Sequence, residues 1–154
     1  MCFSFDILKN TRSLFKAIIE RSTLEELNTI PMGFNNNIIW NIGHIIVSEQ
    51  LLTYKLSGIT LNKDIQAIVD LYRKDTKPQH KVSQEEVNNL KKLLFTTIEQ
   101  TVVDYGNGLF KNYTPYTVST TGNTLENIDD ALQFIAVHEG IHYGYVQALL
   151  RALK

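Results

Sequence analysis

His138 and His142 stand four residues apart in the stretch VHEGIHYGYVQALLRALK, and His44 lies upstream in IIWNIGHIIV. Neutral imidazole is a common ligand for transition metals, offering one nitrogen lone pair without adding charge. On a helix, residues four apart lie about 40° from each other and about 6 Å along the axis, so both rings of such a pair can converge on one ion. HEGIH also fits H-E-x-x-H, the zinc-peptidase helix signature, in which the glutamate serves as general base. That reading lacks a third ligand. After His142 the sequence offers no His, Asp, Glu or Cys, and the extended form of the motif meets Tyr145 and Ala148 where it needs Gly and His. Glu139 is one residue from His138, about 100° around a helix, and reads as a solvated charge rather than a base at the edge of a site.

A third imidazole from a facing helix would complete a three-sided cap and leave the outer side of an ion open to water or substrate. His44 fits that place. Three neutral imidazoles leave the ion's charge largely uncompensated, so a bound thiol or water loses a proton near neutral pH and becomes a nucleophile. The blander readings are a core histidine bonded to a carbonyl or side chain, or a metal-free cluster of hydrogen-bonded rings. His80, between Gln79 and Lys81 in the polar stretch RKDTKPQHKVS, reads as solvated. Tyr54, Tyr143 and Tyr145 read as packing residues with one hydrogen bond each. No catalytic residue is assigned beyond the three candidate ligands.

These residues need long helices to hold them, and the spacing supplies four. The first covers residues 5–20, with Leu8, Thr11, Phe15 and Ile18 on one stripe. A helical turn follows at STLEELN. The second helix opens after the Asn35, Asn36, Asn37 run, whose amide side chains can cap orphan N–H groups, and continues to residue 57, with Gly58 as its stop. Its stripe passes through Trp40, His44, Val47, Leu51 and Tyr54. A shorter helix is expected at residues 64–73. Ser83 and Glu86 form a capping box, and Val87, Leu90, Leu94, Ile98 and Val102 keep the helical period to residue 105. Residues 106–123 read as a long loop in which TVSTT is locally extended. The last helix covers 125–153, with Ile128, Ala131, Ile135, His138, His142, Tyr145 and Leu149 facing inward. Four such helices predict an all-α four-helix bundle with room for crossover loops.

The bulk numbers agree with one domain, residues 1–154. The chain has 154 residues, 44% of them hydrophobic, enough for one core. Its formal net charge is −1, so no basic surplus favours phosphate backbones and nucleic acid is not an expected partner. Cys2 is the sole cysteine, which rules out an intrachain disulfide and any Cys-rich metal site. MCFSFDILKNTRS lacks the pattern of a secretory signal, and IIWNIGHIIV is too short and polar to span a bilayer. A soluble cytoplasmic protein with no membrane partner is the expectation.

In order and spacing, IIWNIGHIIVSEQLLTYKLSG followed far downstream by HEGIHYGYVQALLRAL resembles the DinB superfamily with its YfiT-like relatives. IPMGFNNN and TLENIDDALQFIAVHEG resemble the family's usual surroundings, so the likeness covers most of the chain. It implies a four-helix bundle, and a divalent metal (zinc, nickel or iron) held by His44, His138 and His142. One departure is Gly144-Tyr145, where many relatives carry Gly-Gln. The resemblance also implies a metal-dependent thiol S-transferase or hydrolase acting on a small-molecule substrate. Some members transfer low-molecular-weight bacterial thiols such as bacillithiol, or use mycothiol to isomerise maleylpyruvate. A homodimer is implied as well. The competing expectation is a non-catalytic metal- or ligand-binding bundle.

Overall fold

A computed structural model describes residues 3–154 of the chain. The single cysteine, Cys2, lies outside the described residues. Four long helices carry the structure: α1 (Phe3–Arg21), α3 (Ile38–Gln50), α6 (Gln84–Gly106) and α7 (Ile128–Ala152). Short helices α2 (Leu24–Asn28), α4 (Lys63–Gln66) and α5 (Val69–Tyr72) fill the first two connections, and a hairpin of β1 (Tyr116–Thr117) and β2 (Thr124–Leu125) fills the third. The architecture is the expected all-α bundle. α1 packs on α6 and α7, and α3 packs on the same two, so α1 and α3 stand diagonally opposed, as do α6 and α7. Among the described residues no helix is long and apolar enough to cross a membrane.

The helices begin where local chemistry satisfies their free N–H groups. Asn37 accepts from the Trp40 N–H at 2.9 Å, and its own amide donates to the Asn28 carbonyl at 3.0 Å, tying the start of α3 to the end of α2. The Ser83 capping box forms in both directions, at 3.2 and 2.7 Å. α3 continues through a π-helical turn, Leu51–Lys55, and ends at Gly58, whose φ of +73° is open to glycine at no steric cost. Such wide turns with i→i+5 bonding recur at functional sites.

Three boundaries differ from the sequence expectation. α7 starts at Ile128, because Asn127 accepts from the Asp130 N–H at 2.9 Å while Leu125 pairs with Tyr116 in the hairpin. Within TVSTT only Thr117 belongs to a strand, Val118 bonds across to Asn123, and residues 119–121 form a turn. The expected helix at 64–73 is two pieces, because i→i+3 bonds from the Ile68 and Leu71 N–H groups tighten the chain between them.

The interior is two apolar clusters with a polar layer between. One gathers Phe15, Ile18, Ile42, Ile46, Leu90, Leu94, Val146 and Leu149. The other gathers Phe5, Leu8, Leu52, Ile98, Leu132 and Ile135. Each buried side chain of this size contributes about 1.5–3 kcal/mol. On each long helix, wholly or nearly wholly buried polar residues fall between or beside the two sets: Arg12 on α1, Glu49 on α3, Thr97 on α6, and His138 with Glu139 on α7. Arg12, rather than Thr11, thus takes the inner position on α1. Tyr145 is 36% exposed, with Val146 inside in its place.

Candidate functional site

α3 and α7 are packed neighbours, and each presents histidine to the other. The candidate ligand atoms of His44, His138 and His142 lie within 4.8 Å of one another. Their ring centroids are 4.5 to 5.2 Å apart. The structure therefore brings together all three residues singled out in the sequence and leaves His80 elsewhere, paired at the surface with Glu86 at 2.7 Å.

Hydrogen bonds fix which nitrogen two of the rings offer. His44 Nδ1–H donates to the Tyr72 carbonyl at 2.7 Å, leaving Nε2 as the nitrogen with the lone pair, approached by Ser48 Oγ at 3.3 Å. His142 Nδ1–H donates to Asn41 Oδ1 at 2.7 Å. Asn41 is itself locked by donating to Asn36 Oδ1 and the Asn37 carbonyl, so its oxygen must face the ring. His142 Nε2 then lies 3.2 Å from His138 Nε2. Two imidazole nitrogens bound at ~2.1 Å to one tetrahedral ion stand about 3.4 Å apart, close to that spacing. Without a proton or cation between them, two lone pairs at this distance repel. His138 Nδ1 is buried with no hydrogen-bond partner among the described residues. The donor set, and the spacing of the His138–His142 pair, fit a divalent metal.

Burial keeps the rings neutral. It lowers His44 below the ordinary imidazole value, outweighing the Tyr72 carbonyl, which favours the charged form. Burial, with His44 beside it, lowers His138 to about 4, and burial, with His138 and His44, lowers His142 to about 3. Neutral rings are what a metal requires. Trp40 stacks on His44 with centroids 4.8 Å apart and planes 12° from parallel. Gly43 allows the Tyr72 segment to come close: a Cβ at Gly43 would fall 2.4 Å from the Tyr72 ring.

The triad opens into a cavity of about 390 Å³. Its walls include Leu51, Leu52 and Leu56 from the end of the second long helix, Val118 from the hairpin, and Phe134 and Ile141 from α7. Ser48 also faces it, with Oγ 3.3 Å from His44 Nε2. None of the lining side chains is acidic.

Glu139 is a correction. It is not a solvated charge but wholly buried, turned toward α1, and absent from the cavity wall. Its Oε1 accepts from Arg12 Nε at 3.0 Å and Nη2 at 2.8 Å. Arg12 also donates to the Leu94 carbonyl and Thr97 hydroxyl, and stands 3.7 Å from Glu49. Burial holds Glu139 up at about 6 against the pull of Arg12. The base that an H-E-x-x-H peptidase needs is therefore occupied as an ion-pair partner in the core.

Sequence reasoning missed Arg12, Glu49, Asn41, Ser48 and the Tyr72 carbonyl. Ser48 carries a signal, since i+4 from His44 is the same helix face; Tyr72 carries none, because its contribution is a main-chain atom. Tyr54 donates to Asp104 at 2.6 Å, and Tyr143 and Tyr145 pack edge-on against Phe15 and Phe34. None of these three tyrosines lines the cavity, whereas Tyr116 does.

Compared with known proteins, residues 7–146 match the family model described as the DinB superfamily, a span that includes all three histidines. No curated protein matches the chain.

Proposed function

Since the chain belongs to the DinB superfamily, we propose that it is a metal-dependent enzyme that makes a nucleophile from a small molecule, most favourably a thiol. The observation that carries this reading is the convergence of three neutral imidazoles at the floor of a cavity with no acidic side chain in its wall. His44, His138 and His142 would hold the ion. A divalent ion on three neutral ligands supplies a strong local positive charge that favours the deprotonated form of a thiol or water.

The chain's own residues do the rest. Tyr72 and Asn41 hold two of the rings in the tautomer that turns Nε2 toward the shared point. Ser48 Oγ lies within reach of the same point and can donate a hydrogen bond to what binds there. The leucines of the π turn, with Phe134 and Ile141, give the approach an apolar wall. Thiol transfer is favoured over hydrolysis by the missing carboxylate. A thiol with a pKa of ~8.5 needs a modest shift to ionise, whereas water must fall from ~15.7 and is normally helped by a positioned base.

The test begins with metal analysis of protein purified without chelator. A panel of small thiols is then offered a chlorodinitrobenzene electrophile, and water a nitrophenyl ester, each with and without EDTA. Metal-dependent consumption of thiol supports the transferase. Ester turnover alone moves the assignment to hydrolysis, and stoichiometric metal with no turnover moves it to a binding module.

A further inference from the structure

The charge lining the cavity is one-sided. Lys55 and Lys74 face it, both exposed, while His44 and His138 are nearly buried, so the lysines form its rim and the imidazoles its floor. Neither lysine forms an ion pair among the described residues. The chain as a whole has 16 acidic and 15 basic residues, so a cavity with two cations and no acid is not a by-product of composition.

Local structure places both lysines deliberately relative to the triad. Lys55 ends the π turn, and Leu51, Leu52 and Leu56 of the same stretch line the same wall. Lys74 follows α5 by two residues from Tyr72, whose carbonyl holds His44. One connector thus sets both a rim cation and a floor ring. The rest of the wall is mostly apolar, with Ser48, Ser119 and Thr120 among it, and apolar surroundings strengthen attraction between a lysine and an anion compared with open water. The volume suits a small organic molecule.

We propose that the cavity selects an organic anion, a molecule with an apolar body whose carboxylate or phosphate is held by Lys55 and Lys74 while its other end reaches the three histidines. This deepens the functional reading above and rests on it only for what happens at the floor; the rim is a binding site with or without an ion.

Isothermal titration with hexanoate, hexylphosphonate, hexanol and hexylammonium tests it, since the four share one apolar body and differ at the head. Each is run on EDTA-treated and on zinc-loaded protein. In the EDTA-treated protein the two anions are expected to bind about tenfold tighter than hexanol or hexylammonium, and the preference should weaken with added salt. Lys55→Gln and Lys74→Gln should each lose roughly threefold in anion affinity and the double variant about tenfold, with hexanol unaffected. Whichever anion binds tighter identifies the carboxylate or phosphate source. Equal binding of hexanol or hexylammonium, an anion preference that survives in the double variant, or no binding of any probe would overturn the proposal. Zinc uptake is read separately: its failure with the anion preference intact would sink the metal reading and leave the rim site standing.

Discussion

Replacing Arg12 with leucine removes the cation from a layer where no water can solvate the carboxylates left behind. Arg12, Glu49 and Glu139 are all wholly buried. The guanidinium makes two charged hydrogen bonds to Glu139, faces Glu49 at 3.7 Å, and satisfies the Leu94 carbonyl and Thr97 hydroxyl. Breaking a buried pair from one side costs about 3–5 kcal/mol, a large part of the ~5–15 kcal/mol that holds a domain of this size. Glu139→Gln alone should cost about 1–3 kcal/mol, because Arg12 keeps Glu49 but loses its charged partner. In the Arg12→Leu background the same change removes a stranded charge and should stabilise. Urea unfolding of the four EDTA-treated proteins, followed by far-ultraviolet circular dichroism, reads this sign reversal as a coupling of about 2 kcal/mol or more. Acid adds a second readout. Glu139 already sits raised at about 6, and losing Arg12 raises it further. A carboxyl raised in the folded state gives stability that is complete below its unfolded value and lost as pH rises through the folded one. The deficit of Arg12→Leu relative to wild type should therefore shrink as pH falls from about 8 to about 5.5. Equal costs of Glu139→Gln in both backgrounds would refute the reasoning, since the carboxylate would then not feel the guanidinium.

Other outcomes follow from the same geometry. His138→Ala should abolish metal uptake, Glu139→Gln should retain it and His80→Ala should leave it unchanged, as measured by metal titration with Trp40 fluorescence, the stacked neighbour of His44, as reporter. Gly43→Ala drives a methyl into the Tyr72 ring. It should cost about 1–3 kcal/mol in unfolding experiments and at least tenfold in metal affinity as the carbonyl support of His44 shifts. The metal-free protein should lose stability in acid. His138 at about 4 and His142 at about 3 lie below the ordinary imidazole value, so their contribution is intact above about pH 6.5 and lost as the unfolded chain takes up protons first. The expected slope is about 1–2 kcal/mol per pH unit between roughly pH 6 and 4, with the raised Glu139 working in the opposite sense. Unfolding that is flat over that range would show that the rings are not buried neutral.

Much of the site was legible because helical periodicity puts side chains on faces. His44 on the stripe of Trp40, Val47 and Tyr54, and the His138–His142 pair on the stripe of Ala131, Ile135 and Leu149, were enough to expect convergence between two packed helices. The capping box at Ser83 and the stop at Gly58 were legible for similar local reasons. What stayed hidden depends on partners distant in sequence. Nothing local marks Arg12 as buried, because its partner Glu139 is 127 residues away, and for the same reason Glu139 looked solvated. The start of α7 was misplaced because Leu125 continues an apolar pattern that the hairpin captures for itself. Gly43 looks like a weak point in a helix until the ring packed on it is known.

The central claim is that imidazoles from α3 and α7 hold one cation at the floor of the cavity. X-ray absorption of the natively expressed protein, purified without chelator, measures this most directly. The account predicts one divalent ion per chain with three imidazole nitrogens at about 2.0–2.1 Å and light scatterers completing the shell. A metal-free protein that also takes up no zinc, nickel or iron on titration, or an ion bound without imidazole, would contradict it.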